Sequence, residues 1–219
     1  MCWNADISIN TFLFTCLALL FIFITNTYTK YKSRTFDNPL VYVFLLNVAG
    51  VQLAEFFLWR NLKNKSLNET FSRVIANLIA IQPATLMLMI PNVSLRYSIL
   101  AAYAAYLTFY IQYKRMYSPI DFSTTLSKSG HLSWEWIKYR GYENIFFLFM
   151  IAFYLASLLL IDNFVILMFG VMSIIVSFYF YYKSEIFGSM WCWVANLFML
   201  YFIVDILMIK PYYEYNGLC

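Results

Sequence analysis

The sequence predicts an all-α fold: one polytopic membrane domain over residues 1–219, built as a bundle of seven transmembrane helices. Composition and the spacing of apolar residues predict it. Of 219 residues, 63% are hydrophobic and 12% charged, against about 45–50% and about 25% in a soluble domain. So few charges cannot cover a soluble surface, and so much apolar surface cannot stay solvated as a disordered chain. The apolar residues fall in seven continuous runs, each near the ~20 residues a helix needs to cross ~30 Å of hydrocarbon. They are too long and too evenly apolar for barrel strands of about ten residues.

The runs are 8–28, 40–59, 73–91, 94–113, 144–161, 163–182 and 188–209. Thr29 to Pro39, with Lys30, Lys32, Arg34 and Asp37, ends the first. Arg60 to Ser72, with Lys63, Lys65 and Glu69, ends the second. Pro91-Asn92 parts the third and fourth, and Lys183 to Gly188 the last two. Asp162-Asn163 is so short a break that its flanking runs must form a helical hairpin. The one long connection runs from Lys114 to Tyr142, punctuated by Pro119, Gly130 and Gly141, and holds His131, Trp134, Glu135 and Trp136. Connections of this length are often functional. Its Trp and Tyr rings also suit the headgroup level of a bilayer.

The net charge of +4 is small and scattered, with no basic stripe for nucleic acid. Ten Lys and Arg lie in the 2–3, 4–5 and 6–7 connections and five on the other side, which favours a cytoplasmic N-terminus. The sequons at Asn64 and Asn68 then face the cytoplasm and stay unused. No basic residue precedes the first run, which argues against a cleaved signal peptide. The four cysteines, Cys2, Cys16, Cys192 and Cys219, lack metal or disulfide spacing and read as packing residues.

A few polar residues interrupt the apolar runs. Glu55 lies in the second run, and an acid near a helix centre costs roughly 2.5–3.5 kcal/mol on insertion. The surrounding Leu, Val and Phe offset this, so the run still inserts, with Glu55 and Gln52 on one inward face. Gln82-Pro83 falls midway along the third run, after Asn77, where proline kinks a helix and frees a carbonyl. Together with the His131–Glu135 segment, these residues form the candidate ligand-binding set: Glu55, Gln52, Gln82, His131, Trp134 and Glu135. The expectation is that they approach one another at one membrane face. Asp205 and Lys210, five residues apart and about 140° round an α-helix, are poorly placed as a pair. The small residues Ser98, Ala101, Ala102 and Ala105 are expected to face a neighbouring helix.

Catalytic chemistry has little to stand on. With one histidine, the usual three ligands of a catalytic zinc cannot readily be assembled, which disfavours a seven-helix hydrolase of the ceramidase or adiponectin-receptor type. A retinal protein needs a lysine inside the last helix, whereas Lys210 follows the final apolar residue. No P-loop, G-x-S-x-G or Ser/His/Asp set is present. No metal site, catalytic residue or particular cofactor is indicated.

Several patches in chain order resemble an uncharacterised seven-helix membrane family, a domain of unknown function found in bacteria, algae and large DNA viruses. They are Met1-Cys2-Trp3, Glu55 in the second helix, Gln82-Pro83 in the third, Tyr117-Ser-Pro119-Ile-Asp121-Phe122, Gly130-His131 before Trp134, and Glu185 followed by Trp191-Cys192. The family tends to place a His four residues before its Gln-Pro, where this chain has Leu78. The resemblance implies the seven-helix fold and supplies no activity. Two functions stay open: binding or movement of a small molecule or ion at the polar cluster, or a structural role in a viral or organellar membrane assembly. The implied partners are the lipid bilayer, such a ligand and other membrane proteins.

Overall fold

Each apolar run forms a helix: α1 (Ala5–Tyr28), α2 (Leu40–Asn61), α3 (Lys65–Leu88), α4 (Val93–Tyr117), α5 (Glu143–Leu160), α6 (Phe164–Tyr181) and α7 (Phe187–Tyr215). The computed structural model describes residues 4–117, 120–137, 143–184 and 186–217. Met1-Cys2-Trp3, Pro119, Lys138, Arg140, Gly141, Tyr142, Glu185 and Cys219 lie outside the described residues. The fold is all-α. Five helices, α1, α2, α3, α6 and α7, are long and apolar enough to cross a membrane. The tyrosine-rich α4 does not meet that measure, nor does the described apolar part of α5, Leu148–Leu160.

Asparagines start four of the helices. Asn4, Asn64, Asn92 and Asn163 each accept, through Oδ1, a backbone N–H three residues on, at 2.9–3.2 Å. A side-chain acceptor at this position satisfies an N–H that the helix itself cannot. The Asn64 cap corrects the third run. The polar stretch through Ser72 is helical, and α3 begins eight residues before the expected position 73. Hydropathy could not see this, because those turns are helical without being apolar.

The helix α2 packs against α1, α3 and α7, and α3 in turn meets α4 and α5. The outside is apolar, with Leu17 66%, Leu159 69% and Phe164 73% exposed. Polar side chains cross between helices instead. Thr15 Oγ1 of α1 donates to Asn196 Oδ1 of α7 at 2.7 Å, and Asn196 Nδ2 donates to the Cys192 carbonyl. Trp191 Nε1 donates to Ser173 Oγ of α6 at 3.0 Å. At one end of the bundle, Lys30 and Tyr31 both donate to the Glu214 carboxylate.

Two expectations about single helices are overturned. Asp205 and Lys210 do pair, at 2.7 Å. The helix makes a π turn over Asp205–Ile209, in which the Lys210 N–H bonds the Asp205 carbonyl. That i→i+5 geometry brings the two residues to one face. On α4, Ser98, Ala101, Ala102 and Ala105 are all exposed. The packed face is the tyrosine ridge: Tyr103 and Tyr106 stack at 5.9 Å, Phe153 of α5 lies against both, and Tyr103 Oη donates to the Ala80 carbonyl of α3 at 2.7 Å. Large rings reach α3 and α5 from a distance at which alanines touch nothing.

Tyr103→Phe is expected to cost about 1 kcal/mol, a fall of roughly 2–4 °C in the melting temperature in detergent. The double variant Ala101→Leu/Ala105→Leu should stay within about 0.5 kcal/mol of the parent, as exposed substitutions do.

Candidate functional site

The buried face of α2 runs through Val48, Val51, Gln52, Glu55 and Leu58, spaced at three and four residues as one helical stripe requires. Gln52 and Glu55 are both 0% exposed. Gln82 of α3 is buried, as are Cys192 of α7 and Tyr154 of α5. Cys192 joins them: Glu55 and Tyr154 lie within electrostatic reach of its thiol, and the Gln82 side chain is its polar neighbour. Gln82 Nε2 faces this thiol without closing a hydrogen bond of ordinary geometry to any described residue. Four helices thus place a carboxyl, a carboxamide and a phenol each in the neighbourhood of one buried thiol.

The long connection is folded rather than draped. Strands β1 (Thr124–Leu126) and β2 (Leu132–Trp134) pair antiparallel, Thr124 opposite Trp134. Gly130, at φ 78°, makes the turn between them; L side chains rarely adopt this conformation. Asn68 of α3 clamps the hairpin. Its Nδ2 donates to the Thr124 carbonyl at 2.9 Å and its Oδ1 accepts the Thr124 N–H at 2.8 Å. Ser72 Oγ and Thr124 Oγ1 share a hydrogen bond of 2.6 Å below it.

Trp134 is the residue this clamp drives inward. It is 1% exposed and packs with Val51, Ala54, Leu58 and Cys192. Its ring lies on Gly188 of α7, where a Cβ would stand 2.7 Å from the ring, so no larger residue fits without displacing it. Trp136 stacks on it at 5.4 Å and 8°. Trp134 belongs to the protein core and not to its outer surface. The indole N–H groups of Trp59, Trp134 and Trp136 have no hydrogen-bond partner among the described residues.

The six sequence-predicted residues therefore separate. Glu55, Gln52 and Gln82 lie in the buried interior, and Trp134 packs beside Cys192. Glu135 points elsewhere, accepting from Thr125 Oγ1 at 2.8 Å across the hairpin. His131 is partly buried at the turn, where its main chain bonds Ser127. Asn77 is exposed and takes no part. Sequence reasoning missed Cys192 as a neighbour of Glu55, Tyr154 as a neighbour of Cys192, and Asn68, read as an unused sequon, as the hairpin clamp. Among the described residues, no three His, Cys, Asp or Glu side chains gather to hold a metal ion. No known protein-family model, curated protein or solved structure matches the chain.

Asn68→Ala leaves the buried N–H and C=O of Thr124 without their partners, a loss of about 1–3 kcal/mol. The hairpin should open more often and expose Cys192. Maleimide labelling of a chain whose other cysteines are serine should speed up about tenfold, the equivalent of ~1.4 kcal/mol.

Proposed function

We propose that this chain is a multi-pass integral membrane protein that binds a small hydrogen-bonding molecule or ion inside its helix bundle, at Glu55, Gln52, Gln82 and Cys192, beneath Trp134. The membrane reading draws on the five long apolar helices and on the apolar exterior. The clustering of Lys and Arg in the even-to-odd connections favours a cytoplasmic N-terminus, with the hairpin on the same side.

One observation carries the binding reading. Gln82 holds a buried amide N–H2 that closes no hydrogen bond of ordinary geometry among the described residues, beside a buried carboxyl and a thiol. An unmet buried donor costs about 1–3 kcal/mol, and a ligand that accepts from it recovers that cost. A carboxyl in the same place favours a ligand that also donates, or a cation. Trp134 of the hairpin lies in the same buried cluster as Cys192, and the two-point clamp on Asn68 holds the hairpin there, so opening of the hairpin is the entry route this reading requires. The resemblance to the seven-helix family of unknown function adds no substrate.

Gln82→Leu discriminates binding from packing. If Gln82 serves only to pack, the variant changes nothing but stability. On the binding reading, it raises the melting temperature of the ligand-free protein, because the unmet donor is gone, and abolishes ligand retention. Native mass spectrometry of the chain purified from membranes should show a bound small mass that is absent from Gln82→Leu and Glu55→Gln. Identical spectra for parent and both variants would overturn the proposal.

A further inference from the structure

At the end of the bundle away from the hairpin, the α1–α2 turn encloses an open cavity of about 530 Å³, within the ~300–1,000 Å³ range of small-molecule sites. Phe23 and Thr27 of α1, Lys32, Phe36 and Asp37 of the turn, and Tyr42 of α2 line it. The turn is held open by its own bonds. Asn26 Nδ2 donates to the Ser33 carbonyl at 3.1 Å and Asn26 Oδ1 accepts the Ser33 N–H at 2.8 Å. Phe36 is buried beneath, against Tyr42 at 4.9 Å and Phe202 at 4.8 Å. Lys30 and Tyr31 fix the far side to Glu214, and the hydrogen bond to that carboxylate raises the Lys30 pKa above its ordinary value.

Lys30 is therefore committed, while Lys32 and Asp37 are exposed and make no ion pair among the described residues. The cavity thus offers one cation and one anion, each open to an outside partner, on aromatic walls. Phe23 meets Tyr42 edge-on at 6.1 Å and is 54% exposed, so the cavity opens at the outer wall of the bundle. Phe23 lies five residues before the end of α1, or about 7 Å deeper along a helix rising 1.5 Å per residue. The floor is apolar and lies within the spanning segment; the charged rim lies beyond its end. That gradient matches a lipid at the boundary and not a solute in water.

We infer that this cavity is a binding site for the headgroup of a zwitterionic phospholipid, with the phosphodiester at Lys32 and the ammonium at Asp37, against the ring of Tyr42. Phosphate pairs with lysine as a charge-assisted acceptor. An ammonium is favoured both by a carboxylate and by the face of an aromatic ring. An anionic lipid without an amine satisfies Lys32 alone and meets repulsion at Asp37. The preformed turn lowers the ordering cost of binding. This inference rests on the membrane-embedded reading and is independent of the Glu55 cluster.

The test uses the full chain in nanodiscs of equimolar phosphatidylethanolamine and phosphatidylglycerol, followed by detergent extraction and quantitation of retained lipid. Flotation of the chain with liposomes first establishes insertion; failure there overturns the membrane reading, and the inference with it. For an inserted chain, phosphatidylethanolamine should be retained over phosphatidylglycerol. Lys32→Ala and Asp37→Ala should each lower that retention about three- to fivefold, the scale of one exposed ion pair. Asp37→Lys should reverse the preference toward phosphatidylglycerol. These side chains are exposed, and unchanged circular dichroism and elution position confirm that the variants fold. Equal retention of both lipids by the parent, or unchanged retention in all three variants, would falsify the site. Displacement by soluble glycerophosphoethanolamine at the concentration of the lipid would overturn the lipid as its occupant.

Discussion

Apolar helices have little reason to choose one register over another when their surroundings are as apolar as their neighbours. In this bundle that choice is made by hydrogen bonds crossing between elements. Thr15 reaches Asn196, Trp191 reaches Ser173, Tyr103 reaches the Ala80 carbonyl, and Asn68 holds both main-chain groups of Thr124. Each joins residues far apart in sequence, and each fixes how far one element slides along another. Sliding by one residue would leave a buried donor or acceptor without its partner, at about 1–3 kcal/mol each. The interior positions of Glu55 and Gln82 follow from that register, because α2 and α3 are placed by what they and their neighbours bond.

Helices were legible in the sequence because an apolar run is a property of adjacent residues. What was not legible depends on contacts or on departures from α geometry. The start of α3 is set by Asn64 as a cap, while its first turns are polar and read as a connection. The Asp205–Lys210 pair depends on a π turn, and with 100° per residue the same two side chains point apart. The small residues of α4 have the spacing of a packing seam. The tyrosines beside them are longer and take the contacts, so the alanines are left outside.

The candidate site divides along the same line. Gln52 and Glu55 share one helical face, which three-residue spacing reveals. Gln-Pro marked Gln82. Nothing in the sequence ties these to Cys192 or Tyr154, because Glu55, Gln82, Tyr154 and Cys192 come from four helices and only the tertiary packing joins them. Trp134 was visible as an aromatic in a long connection, but its depth was not. Burial of Trp134 needs the absence of a side chain at Gly188, more than fifty residues away, and the clamp from Asn68 on a third element.

The helix α7 links the two ends of the molecule. Its first turn offers Gly188 to Trp134, its middle offers Asn196 to Thr15, and its last turns offer Glu214 to Lys30 and Tyr31. An uninterrupted α-helix cannot satisfy all of these at once if the π turn is what sets the last. That turn takes up one residue beyond the α repeat, so everything after Ile209 is rotated by about 100° from its uninterrupted position. Without that rotation Glu214 would lie off the α1–α2 turn, and Lys30 would be released beside Lys32. The Asp205–Lys210 pair sits on the π turn and holds its two ends together. The local irregularity is therefore what lets one helix serve the covered interior at one end and the anchored, open turn at the other.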